Sequence, residues 1–461
     1  MKFGCIINGG ISDWQIFQQK DMKTDIHIHG ELCFGDKIIK EARACLRIVL
    51  EDTCESITGW QDAELTEDNK WKITFFDVPA GGLYRIESFM PVLEQTEDGD
   101  VGLTYRGDYI HHIGVGDIYV ITGQSNASGW AKGPVNDPPQ MGVHIFKNSG
   151  KWDLATHPLN DFTNTLYTEH YEYLGALHTP FLQFAKMVKK HTNYPIGLIQ
   201  TAKGGSAMSE WNLNEDGHLY KNMLEMIKAA GGKLRGMLWY QGCSDTCKWF
   251  ADTYYKRFCE FVHFFRNDIN MKDFPIITCQ LNKYCTDSVE DSDYSWGMVR
   301  EAQRQAARHI NDLYIVPTLD LGLSDSIHTN AAANMVLGER LARMALNVIY
   351  GINIPCKAPD IAEITKEGAK SVNLYFDNVK NCFDMFITNP ALIPFIANDE
   401  YGVLNIIKFN NTKNCIGLTF DRDIIGKCII SGASLMWNRT AIPVDIETQL
   451  PMLSFFEVGA N

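Results

Sequence analysis

Three residues, Ser125, Asp325 and His328, have the types and spacing for one piece of chemistry, the hydrolysis of an ester. A serine hydroxyl attacks a carbonyl only if a base removes its proton, and the base works best when a carboxylate orients it. Ser125 stands in Gly123-Gln124-Ser125-Asn126. Asp325 and His328 stand in Asp325-Ser326-Ile327-His328. Three residues of separation let the carboxylate meet one imidazole nitrogen while the other faces the serine. The same reaction needs donors for a developing oxyanion. Candidates are the backbone N–H groups of Ser125 and Gly205 and the side-chain amide of Gln241. Gly205 lies in Lys203-Gly204-Gly205-Ser206, where a glycine lets substrate come close to the backbone. Each residue also has a plainer reading. Ser125 and Asp325 could cap helices, His328 could lie on the surface, Gly205 could serve a turn, and Gln241 could be a buried amide. Their joint occurrence carries the argument.

The elements around these residues place them together. From about Gly114, apolar segments at 117–123, 194–202, 234–242, 274–282 and 313–321 alternate with amphipathic stretches at about 178–191, 217–230, 251–266, 295–310 and 329–349. Alternation of this kind predicts an α/β unit with a parallel sheet covered on both faces. Right-handed crossovers make it doubly wound. Ligands of such sheets bind at the carboxyl ends of the strands, and all four clusters follow a strand or precede the last helix. On either side the texture is β-rich. Alternating segments such as 25–32, 42–51, 71–78 and 83–95 come before, and 371–379, 402–410, 415–421 and 427–437 come after. The expected domains are residues 1–110, 111–354 and 355–461, the last a small β-sandwich.

At these residues the chain resembles the SGNH (GDSL-like) hydrolases, within them the sialate O-acetylesterase and acetyl-xylan esterase group. GQSN resembles the nucleophile block. IGLIQTAKGGSAMSEWN (196–212) resembles the glycine block with its downstream tryptophan, here Trp211. GMLWYQGCSD (236–245) resembles the third block, and DSIH the D-x-x-H block. DWQIFQQKD (13–21), PAGGLYRIES (79–88) and VGDIYVITGQSNASG (115–129) are similar to the β-rich leader of sialate O-acetylesterases and its junction with the hydrolase. GASLMWNRTAIPV and QLPMLSFFEV are more loosely similar to its C-terminal region. The resemblance implies a flavodoxin-like doubly wound sheet between two β-rich domains. It implies a Ser125–His328–Asp325 triad, an acetyl-enzyme intermediate, an O-acetylated sugar as substrate and no cofactor. Gln124, Asn126, Trp130 and Trp211 are the expected substrate contacts, and Trp239 less so because its strand should be buried. Cys243 stands where the group usually has glutamate. A small buried filler and a reactive thiol are both open there. Other readings are an acetyl-xylan esterase, a general short-chain esterase, or a carbohydrate-binding protein without catalysis.

Composition narrows the partners. A formal net charge of -14 over 461 residues argues against a nucleic-acid groove or an anionic membrane surface. No segment approaches the ~18 apolar residues of a membrane helix, and the start lacks the apolar run of a signal peptide. A cytoplasmic location is the expectation. Thirteen cysteines without a C-x-x-C pair read as free thiols. His111 and His112 should point to opposite faces of a strand. His170 and His178 have no acidic partner at metal spacing, so no metal is expected. Lys186–Lys190 reads as the solvated end of a helix.

Overall fold

The computed structural model describes residues 3–172, 177–287 and 291–461. The strand that delivers Ser125 is far longer than the expected segment 117–123. It is the end of a 25-residue strand, β1 (Gly99–Gly123). Its outer part pairs antiparallel with Gly81–Thr96, from Gly99 opposite Thr96 to Val115 opposite Gly81. Its inner part enters a parallel sheet at Asp117. The residues at 99–104 are exposed, whereas all of 113–123 are buried. The expected boundary at residue 110 therefore falls inside one strand.

The sheet continues through β2 (Val143–Phe146), β3 (Trp152–Leu154), β4 (Ile196–Gln200), β5 (Gly236–Tyr240), β6 (Ile276–Cys279) and β7 (Leu313–Val316). The spatial order is β3-β2-β4-β1-β5-β6-β7. Neighbours are parallel except β3, which runs antiparallel to β2. The five expected strands are all present, each inside its expected range or continuing beyond it. β2 and β3 were not anticipated, because they are only four and three residues long and lie in a polar, proline-containing stretch.

The helices are α1 (Ser125–Ser128), α2 (Phe181–Thr192), α3 (Met208–Trp211), α4 (His218–Ala229), α5 (Lys248–Asp268), α6 (Ser292–His309) and α7 (Ala331–Val348). They cover both faces of the sheet. Met223, Phe258, Phe261 and Val299 pack with Ile118, Val120 and Trp239 on one face. Phe184, Val188, Leu337 and Leu341 pack with Tyr119, Ile121 and Leu198 on the other. Alternate residues of β1 thus feed opposite cores, as the strand period requires. Strands buried on both faces read as unbroken apolar runs, which is why they were visible in the sequence.

The preceding residues add a four-stranded sheet in the order Gly4–Gly9, Lys23–Cys33, Lys70–Pro79 and Glu64–Leu65. Its Ile26, Ile28, Trp71 and Phe75 share a core with Ile48, Ile86 and Ile113. Ile16–Gln18 pairs parallel with β1 at Gly114–Gly116, and Ile16 itself joins a core of the central sheet. After α7, two four-stranded sheets and one three-stranded sheet follow. Ile361, Leu374, Phe395, Leu418, Ile430 and Phe455 form their common core. Arg300 of α6 ties this region to the centre. Its guanidinium donates to the carbonyls of Leu281 and Asn282 on one side and of Ser434, Leu435 and Met436 on the other. No described helix is long and apolar enough to cross a membrane. No disulfide joins any of the thirteen cysteines.

Candidate active site

Gly123 ends β1 with φ +131, where a Cβ would lie 2.2 Å from the Tyr240 carbonyl oxygen. Only glycine fits this turn. The turn aims Ser125, the first residue of α1, at the carboxyl edge of the sheet. There Ser125 Oγ lies 2.9 Å from His328 Nε2. His328 Nδ1 lies 2.9 Å from Asp325 Oδ2. Asp325 Oδ1 accepts the backbone N–H of His328 at 2.8 Å and of Ile327 at 3.0 Å. Burial alone would raise the Asp325 carboxyl. The hydrogen bonds from these N–H groups and the imidazole outweigh it and hold the carboxyl well below the usual range. Asp325 does not cap α7; Asn330 does, by accepting from the Ala333 N–H.

The loop that carries His328 is held from two sides. Asn126 Oδ1 accepts the Thr329 N–H at 3.0 Å, and its amide donates to the Ile327 carbonyl at 3.4 Å. Asn282 donates to the same carbonyl at 2.7 Å. Trp130 stacks on the His328 ring, with centroids 5.3 Å apart and planes at 23°. Lys132 Nζ is 3.4 Å from Asp325 Oδ2, in the open.

The loop 203–206 docks beside Ser125. Lys203 N–H donates to the Gly123 carbonyl at 2.9 Å. Gly205 is exposed with φ +73 and has open space where a Cβ would sit. Ser244 Oγ donates to its carbonyl. Among the described residues, the N–H groups of Ser125 and Gly205 have no acceptor.

Four expected site residues have other duties. Gln241 is fully buried. Its amide donates to the Ser206 carbonyl and to Asp245 Oδ2, and its Oε1 accepts from Tyr254. Both amide hydrogens are used, so Gln241 is no oxyanion donor. Trp211 is likewise fully buried, with Nε1 on Ser206 Oγ and its ring edge-on to Trp239. It is core, not a sugar contact. Gln124 is buried, and its Oε1 accepts the Gly242 N–H at 2.7 Å. Asn126 is buried on the His328 loop, as described. These two hold the scaffold rather than face a substrate. Of the expected contacts, Trp130 alone remains at the site surface.

Cys243 Sγ lies 3.9 Å from Asn282 Oδ1. Burial pushes its thiol up to about 12, which leaves it protonated and poorly nucleophilic at neutral pH. Cys243 is partly buried, and the raised thiol favours the filler over the reactive thiol.

His178 does have an acidic partner. His157 Nε2 and His178 Nε2 lie 2.9 and 3.1 Å from the same Asp137 oxygen, a grouping with the donor types of a metal site. Lys186 takes the other Asp137 oxygen, so it is no solvated helix end. The Asn334 amide donates to the His178 carbonyl and faces His178 Nδ1. That places the ring proton on Nε2, where Asp137 receives it. The cluster thus reads as a hydrogen-bonded hub. Burial opposes ionisation of Asp137, but its three partners hold its carboxyl far below the usual range. Asp137 lies 41 residues from His178, a pairing that no local spacing announces.

Glu172, Lys132 and Asn282 reach the site and were not foreseen in the sequence. They meet it through chain reversals, and no motif surrounds them.

Residues 115–347 match the family described as carbohydrate esterase, sialic acid-specific acetylesterase. A probable carbohydrate esterase of Arabidopsis thaliana is 27% identical over 253 residues, which cover 50% of this chain and 90% of that protein. The crystal structure of a carbohydrate acetylesterase from Xanthomonas citri aligns with a TM-score of 0.66 at 17% identity, over 98% of this chain and 99% of that one. Its fold is therefore shared by the flanking β-rich regions as well as the centre. With half of its length matched, the chain belongs to the carbohydrate esterase family of sialic acid-specific acetylesterases.

Proposed function

We propose that the protein removes acetyl groups from O-acetylated sugars through a Ser125–His328–Asp325 triad. The observation that carries this reading is the unbroken relay, 2.9 Å from Ser125 Oγ to His328 Nε2 and 2.9 Å from His328 Nδ1 to Asp325. Ser125 Oγ attacks the acetyl carbonyl as His328 takes its proton. The N–H groups of Ser125 and Gly205 receive the oxyanion. His328 then protonates the departing sugar oxygen. Water attacks the acetyl-enzyme by the same route and releases acetate. Asp325 stays ionised throughout and stabilises the imidazolium. The chemistry requires no cofactor.

The scaffold reads as a flavodoxin-like doubly wound sheet in a three-domain chain, with β1 crossing from the first domain into the second. Sialate-type sugars are the first substrate class to test, since the family carries that description. Exposed Lys132, 3.4 Å from Asp325, is the cation proposed to meet a sugar carboxylate. Acetate release from O-acetylated sialic acids, acetylated xylan and p-nitrophenyl acetate, with Ser125→Ala as control, tests the reading. The variant should lose at least about 10³-fold in kcat. Wild-type turnover by Ser125→Ala would overturn it, and preference for xylan would overturn the sialate part alone.

A further inference from the structure

The Glu172 carboxylate touches two parts of the site at once. Oε2 accepts the Trp130 indole N–H at 3.0 Å, and Oε1 accepts the Gly204 N–H. Trp130 is the ring stacked on His328. Gly204 is the neighbour of Gly205, whose N–H is the proposed oxyanion donor. Glu172 itself is only 7% exposed. Among the described residues no cation pairs with it, and Lys203 turns its Nζ to the Tyr171 carbonyl. A buried carboxylate without a cation is costly to keep.

The fit also demands a glycine. A Cβ on Gly204 would lie 2.7 Å from Glu172 Oε2 and 3.1 Å from Trp130 Nε1. The carboxylate approaches the backbone only because that atom is missing. A neutral amide could not replace it. Glutamine would offer one oxygen to one N–H and turn its own NH2 toward the other.

We infer that Glu172 is a positioning residue that locks the oxyanion loop and the indole over the base into one register. The inference rests on the esterase reading above. Trp130 keeps the imidazole plane, Gly204 keeps Gly205, and one carboxylate fixes the distance between them.

The test compares Glu172→Gln and Gly204→Ala with wild type on p-nitrophenyl acetate, reading kcat, KM and Tm separately. Displacement of catalytic groups by about 1 Å costs up to about 10²-fold. Both variants should lose 10- to 10²-fold in kcat, with KM close to wild type and Tm lowered but still above the assay temperature. Glu172→Asp, which keeps the charge on a shorter arm, should recover part of that loss. Wild-type kcat in Glu172→Gln overturns the inference, as does a loss seen only in KM. If Glu172→Gln does not fold, Gly204→Ala decides by the same criteria. Absence of turnover in the wild-type protein overturns the proposed function and the bridge together. Undiminished turnover in Glu172→Gln, with Ser125→Ala inactive, overturns the bridge alone.

Discussion

Asp325 makes three hydrogen bonds around His328, two from backbone N–H groups and one from the ring. An asparagine there could keep the shape but would present an NH2 to the ring and favour the wrong tautomer. Asp325→Asn should lower kcat by about 10⁴-fold, measured as acetate release. The same contact has a sign in pH. The folded carboxyl sits below its unfolded value, so it stabilises the fold above about pH 4 and loses that contribution as pH falls further. Urea midpoints between pH 7 and pH 3 should therefore fall more steeply for wild type than for Asp325→Asn. Gln241 makes the complementary case. Its removal should register as lost stability, because Gln241→Leu leaves the buried Asp245 and the Ser206 carbonyl each short of a partner. The cost should be about 1–3 kcal/mol per unsatisfied group, read from urea unfolding. Asp325 and His328 were legible in the sequence because a three-residue spacing fixes their chemistry, and Ser125 because Gly-Gln-Ser-Asn follows an apolar strand. The role of Gln241 was not. A glutamine after a strand looks the same whether it turns to the rim or to the core, and only Tyr254 and Asp245, which come from other segments, decide.

At the scale of elements, the sequence revealed what periodicity can reveal. Long buried strands and amphipathic helices such as α5 and α7 stood out. β2 and β3, too short to show a period, did not, and neither did the Asp137 hub that fastens the loop before α2. The continuity of β1 was hidden for a different reason. Its outer half alternates, its inner half is mostly apolar and buried throughout, and the two patterns look like separate elements. The turn that ends β1 sets the serine. Gly123→Ala would place a methyl 2.2 Å from the Tyr240 oxygen at a φ that alanine rarely adopts. Backbone strain of this kind costs about 1–3 kcal/mol. The variant should melt lower and lose most acetate release, since Ser125 lies two residues on. Thermal melts together with the activity assay check both halves.

Across the whole molecule the three expected regions are more tightly joined than their sequence textures suggest. Ile16 packs in the central core, β1 serves two sheets, and Arg300 binds carbonyls of both the 281–282 loop and the 434–436 segment. The resemblance in sequence covers the motifs well. It says little about these joints, which rest on backbone carbonyls and single apolar residues that carry no motif. A chain starting at residue 111 should fail to give a cooperative melt, because it lacks the Ile16–Gln18 pairing and half of β1. Circular dichroism against temperature would show it.

The grading of β1 from bare to fully enclosed has a consequence in time. Local opening needs little energy where backbone groups face water and approaches global unfolding in the core. Deuterium should enter the amides near Gly99 first, advance along the strand, and stall before Tyr119–Ile121. The seat of the nucleophile is then among the last places in the protein to breathe, although it hangs from one of the first.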